Sequence, residues 1–451
     1  MNQVLQLSRF GLFDARVPRY TSYPAATRFG EGVGAAQHET WVAAIPEGSR
    51  VSLYLHVPFC RRLCWFCACR TQGTATGQPV ADYIATLKAE LALLARRLPG
   101  GVTLSRLHWG GGTPTLMSPD LITDLARAIF AVIPAGEGME FSVEIDPNEI
   151  DTPRLEALAA AGMNRASIGV QDFDPEIQQI IGREQSFEIT QAAAEGLRAH
   201  GIRSLNADIL FGLPKQTRAR MAESVQKLLT LSPDRVALYG YAHVPWVARR
   251  QAMIPTALLP RPEERLELFE TARRLFAWDG YDEIGIDHFA RPDDGLAVAR
   301  REGRLRRNFQ GYTDDTSGIL IGIGASAISR FPQGFAQNHP ATSRYTRHIR
   351  DGEFAAYRGH VFTGDDKVRG RMIEALMCDF RIDKEEILAM PGADRATVEA
   401  LFARAGKEFS GMLDIGPGGL SIPEMARPLT RMIARVFDAY DMEQAGHSSA
   451  I

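Results

Sequence analysis

Cysteine is scarce in this sequence, net charge is nearly absent, and no long apolar run occurs. Five cysteines in 451 residues are too few and too unevenly placed to staple a secreted chain of this length, which excludes a disulfide scaffold. Lys and Arg number 51 against 54 Asp and Glu, a formal net charge of -3, so non-specific nucleic-acid binding has little electrostatic support. No stretch of about 18 apolar residues is present to cross a membrane. Arg9, Asp14, Arg16 and Arg19 stand where a signal peptide needs an unbroken apolar core. The expectation is a cytoplasmic protein with neither nucleic acid nor membrane as partner. What is there is a globular composition, 45% hydrophobic and 23% charged, which argues against disorder or a fibrous repeat.

Between about residues 50 and 290, short β-rich runs alternate with longer helical patterns, the signature of repeated βα units and a parallel sheet. The strand candidates are 51–57, 103–109, 139–145, 165–171, 203–210 and 235–242. Helical patterns fill the gaps at 81–98, 118–132, 152–162, 187–200, 217–231 and 262–279. Several helices open on cap signals, such as Ser118 before Pro119 and Asp151 before Thr152 and Pro153. Six such units suggest a barrel or partial barrel, with Tyr281 to His288 as a further run that extends the sheet. In that architecture the reactive groups sit at the C-terminal ends of the strands. The unusual polar residues collect there: the cysteine cluster, Gly110 to Thr113, Glu144 with Asp146, Gln171 with Asp172, Asp208 and His243. Three regions are expected: an N-terminal arm at 1–48, the barrel with its extension at 49–350, and a small, mainly helical C-terminal domain at 360–445.

Four of the five cysteines, Cys60, Cys64, Cys67 and Cys69, form a CxxxCxxCxC run. Four thiolates could hold zinc, but structural zinc sites usually clip separate segments together. One loop wrapped on one ligand body suits an iron-sulfur cluster better, since its several irons offer separate coordination points. Zinc and a redox dithiol remain as alternatives, and Cys378, in an apolar helical pattern, is expected in the core.

CxxxCxxC after the first strand of a βα barrel resembles the radical S-adenosylmethionine (SAM) superfamily. The fold class is then α/β, a partial (β/α)6 TIM-like barrel. The resemblance implies a [4Fe-4S] cluster on Cys60, Cys64 and Cys67, with one iron left open for SAM. It places Phe66 against the adenine and Tyr54 near the sulfonium, and it gives Gly111, Gly112 and Thr113 the backbone contact to the SAM amine. Glu144, Gln171, Arg183 and Asp208 continue the cofactor-binding series along successive strand ends. Each of these alone could be a salt bridge or a strand cap; their order along one rim is what points to a site.

The blocks PRYTSYP (18–24), LYLHVPFC (53–60), LHWGGGTPT (107–115), VEIDP (143–147), GVQDF (169–173), NFQGYT (308–313) and SAIS (326–329) resemble the oxygen-independent coproporphyrinogen III oxidases over almost the full length. Haem chaperones of the same superfamily share the three-cysteine loop but tend to lack Cys69 and PRYTSYP. They are the alternative, with other radical SAM enzymes acting on haem. The resemblance implies Cys69 as an activity residue, a second SAM near Ala242 and Ile328, a porphyrinogen substrate, a low-potential electron donor such as a flavodoxin or ferredoxin, and a monomer. The substrate carries four propionates, so cations are expected at it. Arg291, Arg300, Arg301, Arg304, Arg306 and Arg307 are the candidates, with Arg19 and Tyr20, and raising the substrate's KM is the expected effect of replacing Arg300 and Arg301.

Overall fold

The computed structural model describes residues 3–440 and 449–451. Six parallel strands form where the alternation predicts them: β1 (Arg50–Val57), β2 (Thr103–Gly111), β3 (Ala135–Ile145), β4 (Arg165–Gln171), β5 (Ser204–Phe211) and β6 (Arg235–Gly240). The helices that cross between them are α1 (Gln78–Ala95), α2 (Pro119–Val132), α3 (Thr152–Ala160), α4 (Phe187–Ala199) and α5 (Arg218–Thr230), and α6 (Pro262–Trp278) follows β6. Ser118 and Asp151 cap their helices as predicted, accepting from the Leu121 and Arg154 amides, and Ser186 and Thr217 do the same for α4 and α5, accepting from Ile189 and Arg220. Each satisfies an amide that the first helical turn leaves without a partner.

The sheet continues at both edges. Past β6 come β7 (Asp282–Ile284) and β8 (His288–Ala290), both antiparallel additions, as the run from Tyr281 suggested. On the far side four further strands appear: β9 (Leu320–Ile323), β10 (Ile328–Phe331), β11 (Gly334–Asn338) and β12 (Ala356–Val361). β9 lies parallel to β1, with Ser52 opposite Leu320 and Tyr54 opposite Gly322. The resulting order is β12-β11-β10-β9-β1-β2-β3-β4-β5-β6-β8-β7. Its two edge strands do not pair among the described residues, so the barrel is partial and open.

Burial follows the pleat. Along β4, Ala166, Ile168 and Val170 are buried toward the helices, while Arg165, Ser167, Gly169 and Gln171 are half-buried on the other face. That period of two puts every second side chain inside the barrel. The core between sheet and helices is apolar, with Trp109, Phe141 and Phe276 fully buried. A second apolar core joins Leu7, Leu12, Phe13, Val17, Tyr20 and Tyr23 to the C-terminal helices Asp366–Asp379 and Arg395–Glu408. The N-terminal segment is therefore built into that core as well as reaching the barrel. The C-terminal region also holds a three-stranded sheet, Arg381–Asp383, Asp414–Gly416 and Gly419–Ser421, and the Gly416 to Gly419 turn joins two of its strands. Cys378 is fully buried, as expected. No helix among the described residues is long and apolar enough to cross a membrane.

Candidate functional site

The cysteine loop leaves the end of β1 and is pinned at both ends. Phe59 and Cys60 pair in parallel with Gln72 and Gly73. The Trp65 amide donates to Ile181 O at 2.9 Å, and Arg62 reaches Glu184 O. Two residues without a sequence signal complete the anchorage. Arg250 donates to Cys69 O and to the Thr71 hydroxyl, and the fully buried Gln251 donates to Phe66 O at 2.7 Å and Ala242 O at 3.0 Å. Both lie in the 3-10 turn Arg249–Met253, whose sequence RRQAM has no periodicity to single it out.

All four thiols face one cavity of about 360 Å3 within the barrel mouth. Phe66, Gly111, Gly112, Thr113, Glu144, Gln171, Arg183 and Asp208 line the same cavity. Three predicted residues do not line it. Tyr54 stands behind the wall, its ring stacked on His108 at 5.6 Å and its hydroxyl bonded to His56 Nδ1 at 3.0 Å. Ala242 lines a neighbouring, larger cavity. Ile328 lies on β10, its backbone packed over Gly322 on β9. Asn308, Gln310, Tyr312 and Thr313, from the hairpin Arg306–Asn308 and Gly311–Thr313, close the cavity from the other side. The following Asp314 pairs with Arg106, which lines the cavity.

The three glycines after Trp109 are needed for three different reasons. A Cβ at Gly110 would meet Glu144 Oε1 at 2.5 Å; one at Gly111, where φ is +112°, would meet the His56 ring at 2.5 Å; one at Gly112 would meet the Phe59 carbonyl oxygen at 2.5 Å. The space that glycine provides is thus filled first by the chain's own groups. His56 is held by the Tyr54 hydroxyl, which donates to Nδ1, while its Nε2–H donates to Arg70 O at 3.2 Å. Burial lowers its pKa and keeps the ring neutral.

Glu144 accepts from the Gly111 amide at 2.9 Å and lies 3.3 Å from His108 Nε2. Burial would raise its pKa, but His108 and the Gly111 amide outweigh this and leave it lowered, so the carboxylate is charged. Deeper in β5, Asp208 is pushed up to about 6 by burial, eased by Asn206 at 2.8 Å. Arg183 spans three groups: Gly169 O at 2.8 Å, Asp146 at 3.4 Å and Cys64 Sγ at 3.5 Å. Its Nε is buried without a hydrogen-bond partner, a donor left for an acceptor in the cavity. Gln171 ends β4 at φ +70°, beside a register shift between Gly169 and Gln171. A non-glycine residue in that region costs roughly 1–3 kcal/mol and often marks a functional position.

The thiols differ. The Cys69 thiol donates to Cys67, as does the Cys69 amide at 3.4 Å. That bond lowers Cys67 to about 6 and raises Cys69. Burial pushes Cys60 up to about 11. Among the described residues no three His, Cys, Asp or Glu side chains converge tightly enough for a single metal ion. Thiols spread around one cavity wall fit a polynuclear cluster, in which each iron takes its own sulfur. The unused Arg183 donor and the charged Glu144 fit the carboxylate and amine of an amino-acid cofactor.

A model of the Radical SAM superfamily matches residues 54–228. The chain is 63% identical over 451 residues, all of both chains, to the oxygen-independent coproporphyrinogen III oxidase of Paracoccus denitrificans. It is 61% identical over 441 residues, 98% of each chain, to the protein of that name from Cereibacter sphaeroides. The solved structure of coproporphyrinogen III oxidase (HemN) from Escherichia coli, described as a radical SAM enzyme, superposes with a TM-score of 0.88 at 37% identity, covering 95% of this chain and 100% of that one. The chain belongs to the oxygen-independent coproporphyrinogen III oxidase family, in the radical SAM superfamily.

Proposed function

We propose that this chain converts two propionate side chains of coproporphyrinogen III to vinyl groups, giving protoporphyrinogen IX in oxygen-independent haem biosynthesis. Each conversion removes one hydrogen atom from a propionate β-carbon, releases carbon dioxide and passes one electron to an acceptor. The observation that carries the reading is the convergence of Cys60, Cys64, Cys67, Glu144, Gln171, Arg183 and Asp208 on one cavity, in a chain so closely related to enzymes of that name.

Cys60, Cys64 and Cys67 would hold a [4Fe-4S] cluster, which with SAM supplies a carbon-centred radical able to take that hydrogen atom. Arg183, through its unpartnered Nε–H, would hold the methionyl carboxylate, and Glu144, kept charged by His108 and the Gly111 amide, would hold the methionyl amine. Asp208 would hold the ribose hydroxyls, and Phe66 would pack on the adenine. Tyr54 acts from behind the wall by fixing His56 and stacking on His108. No residue of the cavity is needed as a base at the carbon, because a hydrogen atom leaves and not a proton. Cys69, the thiol that donates a hydrogen bond to Cys67, is the activity residue that does not ligate iron. A second SAM molecule would belong near Ile328. A low-potential donor such as a flavodoxin or ferredoxin supplies the electrons, and the protein works as a cytoplasmic monomer.

The test is anaerobic turnover of the reconstituted protein with SAM, a low-potential reductant and coproporphyrinogen, measuring 5'-deoxyadenosine and protoporphyrinogen together. Both products support the reading. Stable haem binding without the vinyl product would instead make the chain a haem carrier.

A further inference from the structure

A cavity of about 680 Å3 lies beside the cysteine cavity, and Tyr239 forms part of both walls. The N-terminal arm, the ends of β5 and β6, helix α6, the turn Glu424–Leu429 and the last residues of the chain all contribute to it. Ser449 is held there by an antiparallel bridge to Arg16.

Its lining combines apolar surface with a surplus of positive charge. Phe211, Tyr241, Trp246, Phe269, Ile286 and Phe380 supply broad hydrophobic faces. Eight arginines face four carboxylates. At one end the charges are matched: Arg273 pairs with Glu270 and Glu424, and Arg427 with Glu283. At the other end they are not. Among the described residues Arg16, Arg19, Arg265 and Arg274 have no side-chain carboxylate within 4.0 Å.

Arg19 donates to Gly240 O at 2.7 Å, and Arg265 to the main-chain oxygens of Tyr241, Ile451 and Gly212. Arg431 donates to Val17, Pro18, Ser449 and Ala450. The Gly240 carbonyl holds the Arg19 guanidinium in place without neutralising it. Arg19 is open to the cavity while protein encloses its other sides. Burial and mutual repulsion press on all three: desolvation lowers Arg19, and desolvation plus Arg19 lowers Arg265 to about 10 and Arg431 to about 9. A bound anion relieves that repulsion.

We propose that this cavity is the seat of the porphyrinogen's non-reacting propionates, with Arg19 and Arg265 as carboxylate anchors and the aromatic wall against the macrocycle. The proposal rests on the porphyrinogen reading above. A ligand with a broad apolar body and several carboxylates at its edge matches both features of the lining, and guanidinium forks suit carboxylates. The volume lies within the range of small-molecule sites. A sulfonium cofactor, cationic at its centre, gains nothing from a wall with twice as many arginines as side-chain carboxylates. Tyr239, whose hydroxyl lies 3.4 Å from His288 Nε2, marks where a reacting side chain passes from this cavity toward the cysteines. Only Arg307 of the six arginines between Arg291 and Arg307 lines this space.

Binding of coproporphyrin III, the stable oxidised analogue, to the anaerobically reconstituted protein tests this, with SAM affinity measured beside it. Arg19→Gln and Arg265→Gln are each expected to weaken coproporphyrin binding roughly tenfold to a hundredfold and to leave SAM affinity unchanged. The tetramethyl ester, which lacks the charges, is expected to bind the unaltered protein at least about tenfold more weakly than the acid; this comparison stands even where Arg265→Gln does not fold. Equal affinity for acid and ester, or Arg19→Gln with unaltered coproporphyrin binding, overturns the anchor assignment while coproporphyrinogen turnover by the unaltered protein still upholds the reading beneath it. Loss of SAM affinity in place of coproporphyrin affinity assigns the cavity to the cofactor and overturns the proposal. No porphyrin binding and no turnover together bring down both.

Discussion

A methyl group added at Gly112 would stand 2.5 Å from the Phe59 carbonyl oxygen and 2.9 Å from its carbonyl carbon and amide nitrogen. Unstrained carbon contacts lie at about 3.5–4 Å, so one of the two segments must give by roughly an ångström. Neither can do so by turning a side chain, because every overlapping atom is backbone. The φ of Gly112 is not in the left-handed region, so the effect is steric and not conformational. Crowding of that kind costs about 1–3 kcal/mol. Shifting the segments also weakens two backbone hydrogen bonds, Gly112 N to Val57 O at 2.9 Å and Thr113 N to Phe59 O at 2.7 Å, each contributing about 1 kcal/mol. The sum, roughly 3–5 kcal/mol, approaches the lower end of a whole domain's stability of about 5–15 kcal/mol. The strain falls on the residue before Cys60, so the expected outcome of Gly112→Ala is a folded protein with a displaced first thiol. Iron and sulfide per chain after anaerobic reconstitution should drop below half of the unaltered protein's, with secondary structure retained. Gly32→Ala is the control, since its methyl meets nothing within 4 Å. Gly112→Ala with full iron content would refute the steric argument.

Other perturbations reach different parts of the molecule. Glu90 is fully buried in α1, accepts from the Tyr345 hydroxyl, the Gly324 amide and Asn338, and is pushed up to about 7 by burial. A carboxyl raised in the fold favours the protonated state, so its stabilising contribution is full below the ordinary 4.5 and is lost as pH rises through 7. Urea unfolding of the apoprotein should lose about 3 kcal/mol between pH 4.5 and 8 relative to Glu90→Gln, whereas parallel pH profiles would contradict this. Arg250→Ala removes the bonds to Cys69 O and Thr71; iodoacetamide should then label Cys69 several-fold faster while iron content holds, and an unchanged rate would show the tether to be idle. Arg301 pairs with Asp282, and neither it nor Arg300 lines either of the two cavities described. Replacing both with alanine should leave the substrate's KM unchanged, and a raised KM would restore them as substrate contacts.

Much of the site is legible in the sequence because βα repetition fixes where strand ends gather. Once the period of β4 is read, Ser167, Gly169 and Gln171 must share a face, and parallel neighbours bring Glu144 and Asp208 beside them. The cysteine spacing needs no fold at all. What escapes is whatever periodicity does not encode. β9 is four residues, Leu320–Ile323, between Gly318 and Gly324, too short and too glycine-flanked to announce a strand, and β10 to β12 follow from it. Arg250 and Gln251 act through single side chains from an irregular turn. The arginine-rich stretch at 291–307 divides in the fold: Arg307 lines the larger cavity, while others form surface ion pairs such as Arg291 with Asp279 and Arg304 with Glu302. The concentrated cationic cavity instead draws Arg19, Arg265 and Arg431 from three distant segments, a juxtaposition only the tertiary fold creates.

The division of labour among the four clustered cysteines is tested most directly by replacing each with serine and measuring iron, sulfide and the Mössbauer spectrum after anaerobic reconstitution. Cys60→Ser, Cys64→Ser and Cys67→Ser should each lose the cluster. Cys69→Ser should retain the full iron content of a [4Fe-4S] centre and yet form no protoporphyrinogen. A Cys69→Ser protein without iron, or a Cys60→Ser, Cys64→Ser or Cys67→Ser protein that keeps its cluster, would contradict the assignment.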